Sequence, residues 1–315
     1  MSISPIHHRN FLESLSVPQQ VKIVEVGPRD GLQNYPECLS VELKVKLVNR
    51  LSKCGFSAIE VGSLVSPKAV PQMADSEKVF RRIVKNPGTD YILLVANNIG
   101  LQRALNCEVK HIAVFCSASD AFSQKNVRAS VDESLNRIQM ICRRAISEGL
   151  VVRGYVSCVL GCPYQGVVPL AQVVRVASFL YEFGCSEVSL GDTTGGGTAG
   201  MVQELIGAVS EQVPLSRLAV HFHDTYGQAL ANTIVALQSG IRVIDSSLGG
   251  LGGCPFAPGA KGNLASEDVL FMLNGIGINS GVGLPELLDT YRFLEDRLNY
   301  KLPTRASRAS GVFSD

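Results

Sequence analysis

Two histidines lie one residue apart in the stretch LAVHFHDT, which covers residues 218–225. The chain has only five histidines, so this spacing is unusual for it. Side chains along a β-strand alternate between two faces, which places His221 and His223 on one face together with Ala219. The other face carries Leu218, Val220 and Phe222. Both imidazoles are therefore predicted to point into one cavity, either as core histidines bonded to backbone or as metal ligands.

Other polar side chains occur at or near the ends of β-rich runs in distant parts of the chain. Arg29 and Asp30 follow the run KIVEVG, and Glu60 lies in the run SAIEVGS on the opposite face from Ile59 and Val61. Further carboxylates occur in the sixth and eighth runs, at Asp192 and Asp245. We expect these groups to converge on one end of a sheet.

The types of these side chains suggest a divalent cation. Asn263 closes a glycine-rich loop, GGLGGCPFAPGAKGN, that follows the eighth run. Carboxylate, imidazole and amide oxygen together suit Mg²⁺ or Mn²⁺, and also zinc or iron, with positions open for substrate oxygens. The sequence contains no C-x-x-C pair of the kind that builds structural zinc sites. The pattern favours a cation site over two core histidines.

Cys254 differs in its setting from the other cysteines. It lies between glycine and proline in the glycine-rich loop, whereas most of the nine cysteines lie in apolar runs typical of packing. Glycines allow a loop to close over a bound ligand. We therefore interpret Cys254 as a functional thiol rather than a packing residue. Cys158 and Cys162 are interpreted as structural or lining.

The elements that must position these residues alternate between short β-rich runs and amphipathic stretches. The runs are 22–27, 57–63, 91–96, 111–118, 151–158, 187–193, 218–225 and 243–249. The helical patterns between them include one that ends at Gly55 and one that ends at Gly149. Alternation of this kind predicts a parallel sheet. Eight units in about 250 residues match an α/β fold of the (β/α)8 TIM-barrel type, with its active site at the C-terminal face.

An open doubly wound sheet is the structural alternative. The segment GPRDGLQN after the first run matches neither a dinucleotide-binding fingerprint nor a P-loop, which favours the barrel. No shift in composition marks a linker. We predict an N-terminal tail over 1–20, one barrel domain over 21–300 and a C-terminal tail over 301–315.

Composition excludes several classes of function. A formal net charge of +1 over 315 residues, without a basic cluster, argues against binding to nucleic acid or an anionic membrane. No apolar run is long enough to span a bilayer, and the first residues resemble neither a secretory signal nor a transit peptide. Scattered cysteines indicate reduced thiols. We expect a cytoplasmic protein that forms a homodimer or a higher homo-oligomer.

Several of these stretches together resemble the 3-hydroxy-3-methylglutaryl-CoA lyase family. They are VKIVEVGPRDGLQN, VSPKAVPQM, VRGYVSCVLGCPY, SLGDTTG, AVHFHDTYGQALANT and GLGGCPFAPGAKGNLASEDV. The RDG motif in the first stretch and the HxH pair alone would indicate only a wider metal-dependent superfamily, whereas the HDTYGQALANT and glycine-loop segments are much more specific to the lyases. The sequence departs from the family pattern at IEVGSLVSP and GGGTAG, near the expected site.

This resemblance implies a barrel that cleaves 3-hydroxy-3-methylglutaryl-CoA into acetyl-CoA and acetoacetate, as in leucine catabolism and ketone-body formation. It implies that Mg²⁺ or Mn²⁺ is bound by Asp30, His221, His223 and Asn263. Arg29 would contact the substrate and Cys254 would be the loop thiol. Acidic positions that the family associates with the site are Glu25, Glu60 and Asp192. An acyl-CoA substrate also requires contacts for coenzyme A, for which Lys125, Asn126 and Arg153 are candidates, although a solvated surface explains them equally.

The implied chemistry needs charge stabilisation and proton transfer. A guanidinium near the thioester oxygen would stabilise an enolate, and the Cys254 thiol could protonate it. Asp192 or a bound water is the candidate for removing the hydroxyl proton. The alternatives are a Claisen-type condensing enzyme of the same superfamily and a noncatalytic metal-binding barrel. The short stretch after Asn263 argues against the former, and the presence of Arg29, Asp30 and Cys254 against the latter.

Overall fold

Eight parallel strands close into a barrel in the computed structural model, which describes residues 16–253, 262–298 and 300–312. The strands are β1 (Lys22–Glu25), β2 (Ala58–Ser63), β3 (Asp90–Leu94), β4 (His111–Ser117), β5 (Val151–Ser157), β6 (Glu187–Asp192), β7 (Leu218–Phe222) and β8 (Val243–Ser246). β1 pairs with β8 in register from Lys22 opposite Val243 to Glu25 opposite Ser246, which closes the sheet. The predicted barrel is confirmed and the open sheet is excluded.

Helices lie between the strands and after the last one. They are α1 (Val41–Lys53), α2 (Ser76–Arg82), α3 (Asn98–Asn106), α4 (Asp120–Val127), α5 (Val131–Ser147), α6 (Leu170–Glu182), α7 (Ala199–Ser210), α8 (Ala229–Gln238), α9 (Ser266–Ile276), α10 (Leu284–Glu295) and α11 (Arg305–Val312). The α1 helix begins where Ser40 Oγ accepts a hydrogen bond from Leu43 N, at 3.2 Å. It ends shortly before Gly55, whose φ of 95° is readily adopted only by glycine. No helix in the described part of the chain has the length and apolar content to cross a bilayer.

The strands separate two layers of buried apolar side chains. Ile59 and Val61 pack outward against the helices as part of the large outer core, whereas Ala58 faces a small cluster inside the barrel. β7 follows the predicted alternation, with Ala219 inside and Val220 and its neighbours Leu218 and Phe222 outside. Strand parity therefore decides which side chains can reach the interior of the barrel.

The C-terminal segment expected as a tail is packed in its described part. Leu302 and Thr304 are buried, and helix α11 packs against α9. The sequence pattern missed this because the segment is short and polar, and its burial depends on a groove that only the folded barrel provides. Residues 1–15, which form most of the predicted N-terminal tail, lie outside the described residues.

Candidate active site at the carboxyl end of the barrel

Asp30, His221 and His223 converge at the carboxyl ends of β1 and β7. One ligand atom from each lies within 4.8 Å of the other two, an arrangement that can hold a metal ion. Asp30 follows β1 and the histidines lie at the end of β7, so residues about 190 positions apart meet because β8 alone separates their strands. Three of the four side chains that the family resemblance implies as ligands therefore form one cluster.

Both imidazoles have one nitrogen fixed by the protein. His221 Nδ1 lies 3.2 Å from Asp245 Oδ2, and His223 Nδ1 lies 3.0 Å from the Thr193 carbonyl oxygen. A carbonyl accepts but cannot donate, so His223 Nδ1 carries the proton. A carboxylate partner indicates the same tautomer for His221. Each Nε2 is then available as a ligand, which is the arrangement typical of histidines that bind metals.

The charge states of His223 and Asp30 also suit a cation. Burial alone would lower the pKa of His221, but its hydrogen bond with Asp245 and the charge of Asp30 raise it. Burial, together with the neighbouring His221, lowers the pKa of His223 to about 4, so its imidazole is neutral at neutral pH. Burial alone would raise the pKa of Asp30, but the Arg29 guanidinium and His221 hold it below its ordinary value. A neutral imidazole and an ionised carboxylate are the forms in which these side chains bind metals.

Asn263 lies directly beside Asp30 and completes the fourth implied position. Its Nδ2 donates to Asp30 Oδ2 at 2.9 Å and to the Leu251 carbonyl at 2.8 Å. Its Oδ1 is buried and has no hydrogen-bond partner among the described residues. A buried amide oxygen without a partner is costly unless a ligand satisfies it. The donor set and this orphaned oxygen fit a divalent cation bound by oxygen and nitrogen.

A π-helical turn over Gly27–Gly31 positions the Arg29 guanidinium and the Asp30 carboxylate, which follow β1. Pro28 occupies the first turn, and Asp30 N donates to Val26 O at 2.7 Å. A Cβ added at Gly31 would lie 2.8 Å from Ser247 Oγ and 2.9 Å from Leu251 Cβ, so the turn packs closely on the segment after β8. The PRDG sequence thus creates a local bulge that directs two charged side chains inward.

Arg29 is held by carboxylates on two sides. Its Nε donates to Glu60 Oε2 at 2.7 Å and its Nη1 to Asp30 Oδ1 at 2.6 Å. The Tyr155 hydroxyl donates to the same Glu60 oxygen at 3.3 Å, and Arg29 Cζ lies 5.5 Å from the centroid of that ring. Glu60 Oε1 is buried without a hydrogen-bond partner among the described residues. The guanidinium is therefore fixed next to the cluster while it keeps further N–H groups for a ligand.

Asp192 ends β6 and is not one of the three residues of the cluster, and its interpretation as a base or catalytic acid stays a prediction. On β6 it has the same parity as the outward-facing Val188 and Leu190, and its oxygens accept from Gly195 N at 3.0 Å and Gly197 N at 2.8 Å. The carboxylate thus shapes the loop after β6, which supplies the Thr193 carbonyl to His223.

Glu25 points outward from β1 for the same reason of strand parity. It accepts from Gly27 N at 2.8 Å and from Leu248 N at 2.9 Å. It therefore supports the start of the glycine-rich loop from outside the barrel instead of lining the site.

The structure adds a buried network below His221 that the sequence did not reveal. Asp245 receives Arg153 Nη1 and Nη2 at 3.1 and 2.7 Å, and Ser189 Oγ at 2.8 Å. The inward orientation of Asp245 could be predicted from the alternation of side chains along β8. Its contact with His221 could not, because it depends on the register between β7 and β8. Arg153 is buried inside the barrel. This position does not fit the surface contact with coenzyme A for which Arg153 was a candidate.

Cys254 lies outside the described residues, because the structure does not describe residues 254–261. The flanks of the loop are described on both sides: Asn34 Nδ2 donates to Gly253 O at 2.7 Å, and Gly262 N donates to Gly252 O at 3.2 Å. Cys158 and Cys162 are buried in the loop after β5, in keeping with a structural role.

Comparison with known proteins identifies the class of this barrel. The family described as HMGL-like matches residues 20–294. A mitochondrial hydroxymethylglutaryl-CoA lyase from Bos taurus is 51% identical over 93% of this chain and 90% of its own length. A cytoplasmic 3-hydroxy-3-methylglutaryl-CoA lyase from Danio rerio is 50% identical over 93% of this chain and 88% of its own length. The crystal structure of hydroxymethylglutaryl-CoA lyase from Pseudomonas aeruginosa matches with a TM-score of 0.92 and 52% identity, covering 94% of this chain and 99% of that one.

The chain is therefore a (β/α)8 enzyme of the carbon–carbon lyase class. It belongs to the HMGL-like family, as the resemblance of its motifs implied. The condensing and noncatalytic alternatives are not favoured by these relatives.

Proposed function

We propose that this chain cleaves 3-hydroxy-3-methylglutaryl-CoA into acetyl-CoA and acetoacetate. The observation that carries the proposal is the placement of Arg29 against the Asp30–His221–His223 cluster at the mouth of a barrel of this family. The named activity of the bovine and bacterial relatives supports the same substrate. Leucine degradation and ketone-body formation would then be the setting of the reaction.

We propose Mg²⁺ or Mn²⁺ as the cofactor, held by Asp30, His221, His223 and Asn263. When bound, such a cation polarises substrate oxygens and fixes their orientation. The unpartnered Oδ1 of Asn263 and the two available Nε2 atoms support this ligand set. Asp245 and the Thr193 carbonyl would keep both imidazoles in the ligating tautomer.

Arg29 is proposed to stabilise the negative charge that develops on the thioester oxygen when the carbon–carbon bond breaks. Glu60 and Asp30 hold the guanidinium before substrate arrives, so little reorganisation is needed at the moment of reaction. Glu60 would act by fixing Arg29, and Asp192 by shaping the loop that orients His223. Cys254 is proposed as the acid that protonates the enolate carbon, since its loop starts next to Asn34 and ends at the ligand Asn263.

The compartment and the assembly are also proposals. The Danio rerio relative is named cytoplasmic and the bovine relative mitochondrial, so relatives of this kind occur in both places. We propose the cytoplasm for this chain, which is the compartment named for the Danio rerio relative. A homodimer or higher homo-oligomer is proposed as the functional assembly.

The reaction and its cation can be tested together. With 3-hydroxy-3-methylglutaryl-CoA and Mg²⁺, the protein should release acetoacetate and acetyl-CoA in equal amounts, and a chelator should stop the reaction. His223→Ala should lose turnover and Mn²⁺ binding, because it removes one ligand. His111→Ala is the matched control, since His111 lies at the opposite end of the barrel and bonds Asp90 at 3.1 Å. No acetoacetate from the unmodified protein, or full activity of chelator-treated His223→Ala, would refute the proposal.

A further inference from the structure

The segment Leu302–Arg305, here called the C-terminal clasp, packs against both ends of the glycine-rich loop. Leu302 is fully buried, and a Cβ added at Gly249 would lie 2.4 Å from Leu302 Cδ1. A Cβ added at Gly250 would lie 3.2 Å from Pro303 Cγ, and one added at Gly262 would lie 3.7 Å from the same atom. The clasp therefore contacts the first two residues of the loop, Gly249 and Gly250, and Gly262, which directly precedes Asn263.

Asp268 in α9 anchors the clasp. Its Oδ1 accepts from Thr304 Oγ1 at 2.9 Å, from Arg305 N at 2.9 Å and from Ala306 N at 2.7 Å. Asp268 and Thr304 are both buried, so these bonds are shielded from water. The first turn of α11 is thus tied to the helix that begins three residues after Asn263.

Arg305 extends this anchor to the segment that carries the histidines. Its Nη1 donates to Asp224 Oδ2 at 2.7 Å and lies 3.6 Å from Asp268 Oδ2. Asp224 directly follows His223, its Oδ1 accepts from Ala229 N at 3.0 Å, and its backbone N donates to Gly262 O at 3.1 Å. One guanidinium therefore bridges the residue after His223 and the helix after Asn263.

We infer that Arg305 is a positioning residue that reinforces the backbone bridge between His223 and Asn263 by joining Asp224 to Asp268 through the clasp. It touches neither the reacting atoms nor the ligand atoms, and acts through the two segments that carry them. The inference rests on the cation site of the proposed function but not on the proposed lyase reaction.

Because Arg305 is exposed, an effect of its replacement on cation binding can be distinguished from an effect on the free energy of unfolding. Its side chain is 64% exposed, so its ion pairs contribute little to the free energy of unfolding. Residues that orient metal ligands from outside change metal affinity by about 10- to 100-fold when they are replaced. Arg305 lies one contact further out, so we expect the lower end of that range.

The experiment compares Arg305→Met with Arg82→Met. Arg82 is a matched control, because its Nη1 bonds Glu42 Oε1 at the same 2.7 Å on an exposed surface between α2 and α1. Titration calorimetry with Mn²⁺ should show about tenfold weaker binding for Arg305→Met and unchanged binding for Arg82→Met. Without cation, both variants should melt close to the unmodified protein. Arg305→Lys keeps the charge and should recover part of the affinity.

The outcomes are decisive in each direction. Unchanged Mn²⁺ affinity in Arg305→Met, equal weakening in Arg82→Met, or a larger fall in the cation-free melting temperature for Arg305→Met would each overturn the positioning role. The proposed function fails separately: an unmodified protein that binds Mn²⁺ but releases no acetoacetate would refute the lyase proposal and leave the clasp intact.

Discussion

Arg29 combines a fixed position with unused donors, which distinguishes a transition-state role from simple substrate binding. Two carboxylates, Glu60 and Asp30, fix its orientation at 2.6 to 2.7 Å. An ammonium group would keep the positive charge but could not bond both carboxylates and a substrate oxygen in the same planar geometry. The orientation of the charge should therefore matter more than its presence.

We predict that Arg29→Lys lowers kcat by about two to three orders of magnitude with only a modest change in KM. Steady-state kinetics with the CoA ester measures both constants. Arg103→Lys is the matched control, because Arg103 Nε and Nη2 also meet one carboxylate oxygen, Glu77 Oε2, at 2.9 and 2.6 Å but lie outside the site. A rise in KM alone would make Arg29 a binding residue and remove its role at the enolate.

Strand parity explains which site residues could be predicted from the sequence. It placed His221, His223 and Glu60 correctly inside the barrel. The same rule, applied to β6, puts Asp192 on the face of Val188 and Leu190, so its catalytic interpretation stays a prediction that strand parity alone does not support. The partners of the imidazoles were not predictable, because the Thr193 carbonyl and Asp245 reach them through the register between neighbouring strands.

At the scale of elements, two buried carboxyl groups support the base of the glycine-rich loop. Glu25 accepts from Leu248 N at 2.9 Å, and Glu267 accepts from Gly249 N at 3.0 and 2.9 Å. Burial raises the pKa of Glu25 to about 7, and burial also raises the pKa of Glu267 well above its ordinary value. The loop is therefore held by backbone bonds to groups that are costly to ionise.

This arrangement predicts a pH dependence of folding stability. Because the folded state raises the pKa of Glu25 from 4.5 to about 7, it binds the proton more tightly than the unfolded chain. The stabilisation is complete below pH 4.5 and is lost as the pH rises towards about 7, by an amount of order 3 kcal/mol. Glu25→Gln mimics the protonated form and should flatten this part of the profile. Urea unfolding between pH 5 and 8 measures the effect.

Glu42→Gln is the control for that series. The Glu42 carboxyl is exposed, and its hydrogen bond with Arg82 lowers its pKa, so its replacement should leave the decline above pH 5 unchanged. Parallel profiles for Glu25→Gln and the unmodified protein would show that Glu25 is already ionised in the fold at neutral pH. The loop would then be held by a charged carboxylate.

At the scale of the whole molecule, the alternation of β-rich and amphipathic segments was sufficient to predict the barrel and all eight strands. Two features of the fold could not be predicted from the periodicity of apolar residues in the sequence. Closure depends on the pairing of β1 with β8, which are more than 200 residues apart in the chain. The burial of Leu302 and Thr304 depends on a surface formed by the loop base and α9, so a segment without strong periodicity looked like a tail.

The candidate cation site lies across the seam at which the barrel closes. Asp30 follows β1, the two histidines end β7, and β8 pairs with both strands between them. Asn263 meets Asp30 across 233 positions of the chain. A cation bound at this place would join the first and last parts of the barrel, so its binding should stabilise the global fold rather than a single loop.

We predict that Mn²⁺ raises the melting temperature of the unmodified protein and that a chelator reverses the rise. At a free concentration about 100 times the dissociation constant, the stabilisation should be about 2.7 kcal/mol. Asp30→Asn keeps the shape of the side chain but removes the only carboxylate of the cluster, so it should lose most of the rise. His111→Ala, at the amino end of the barrel, should retain it. Differential scanning calorimetry across a Mn²⁺ titration makes the comparison, and an equal rise in Asp30→Asn would place the bound cation somewhere other than the β1–β7 cluster.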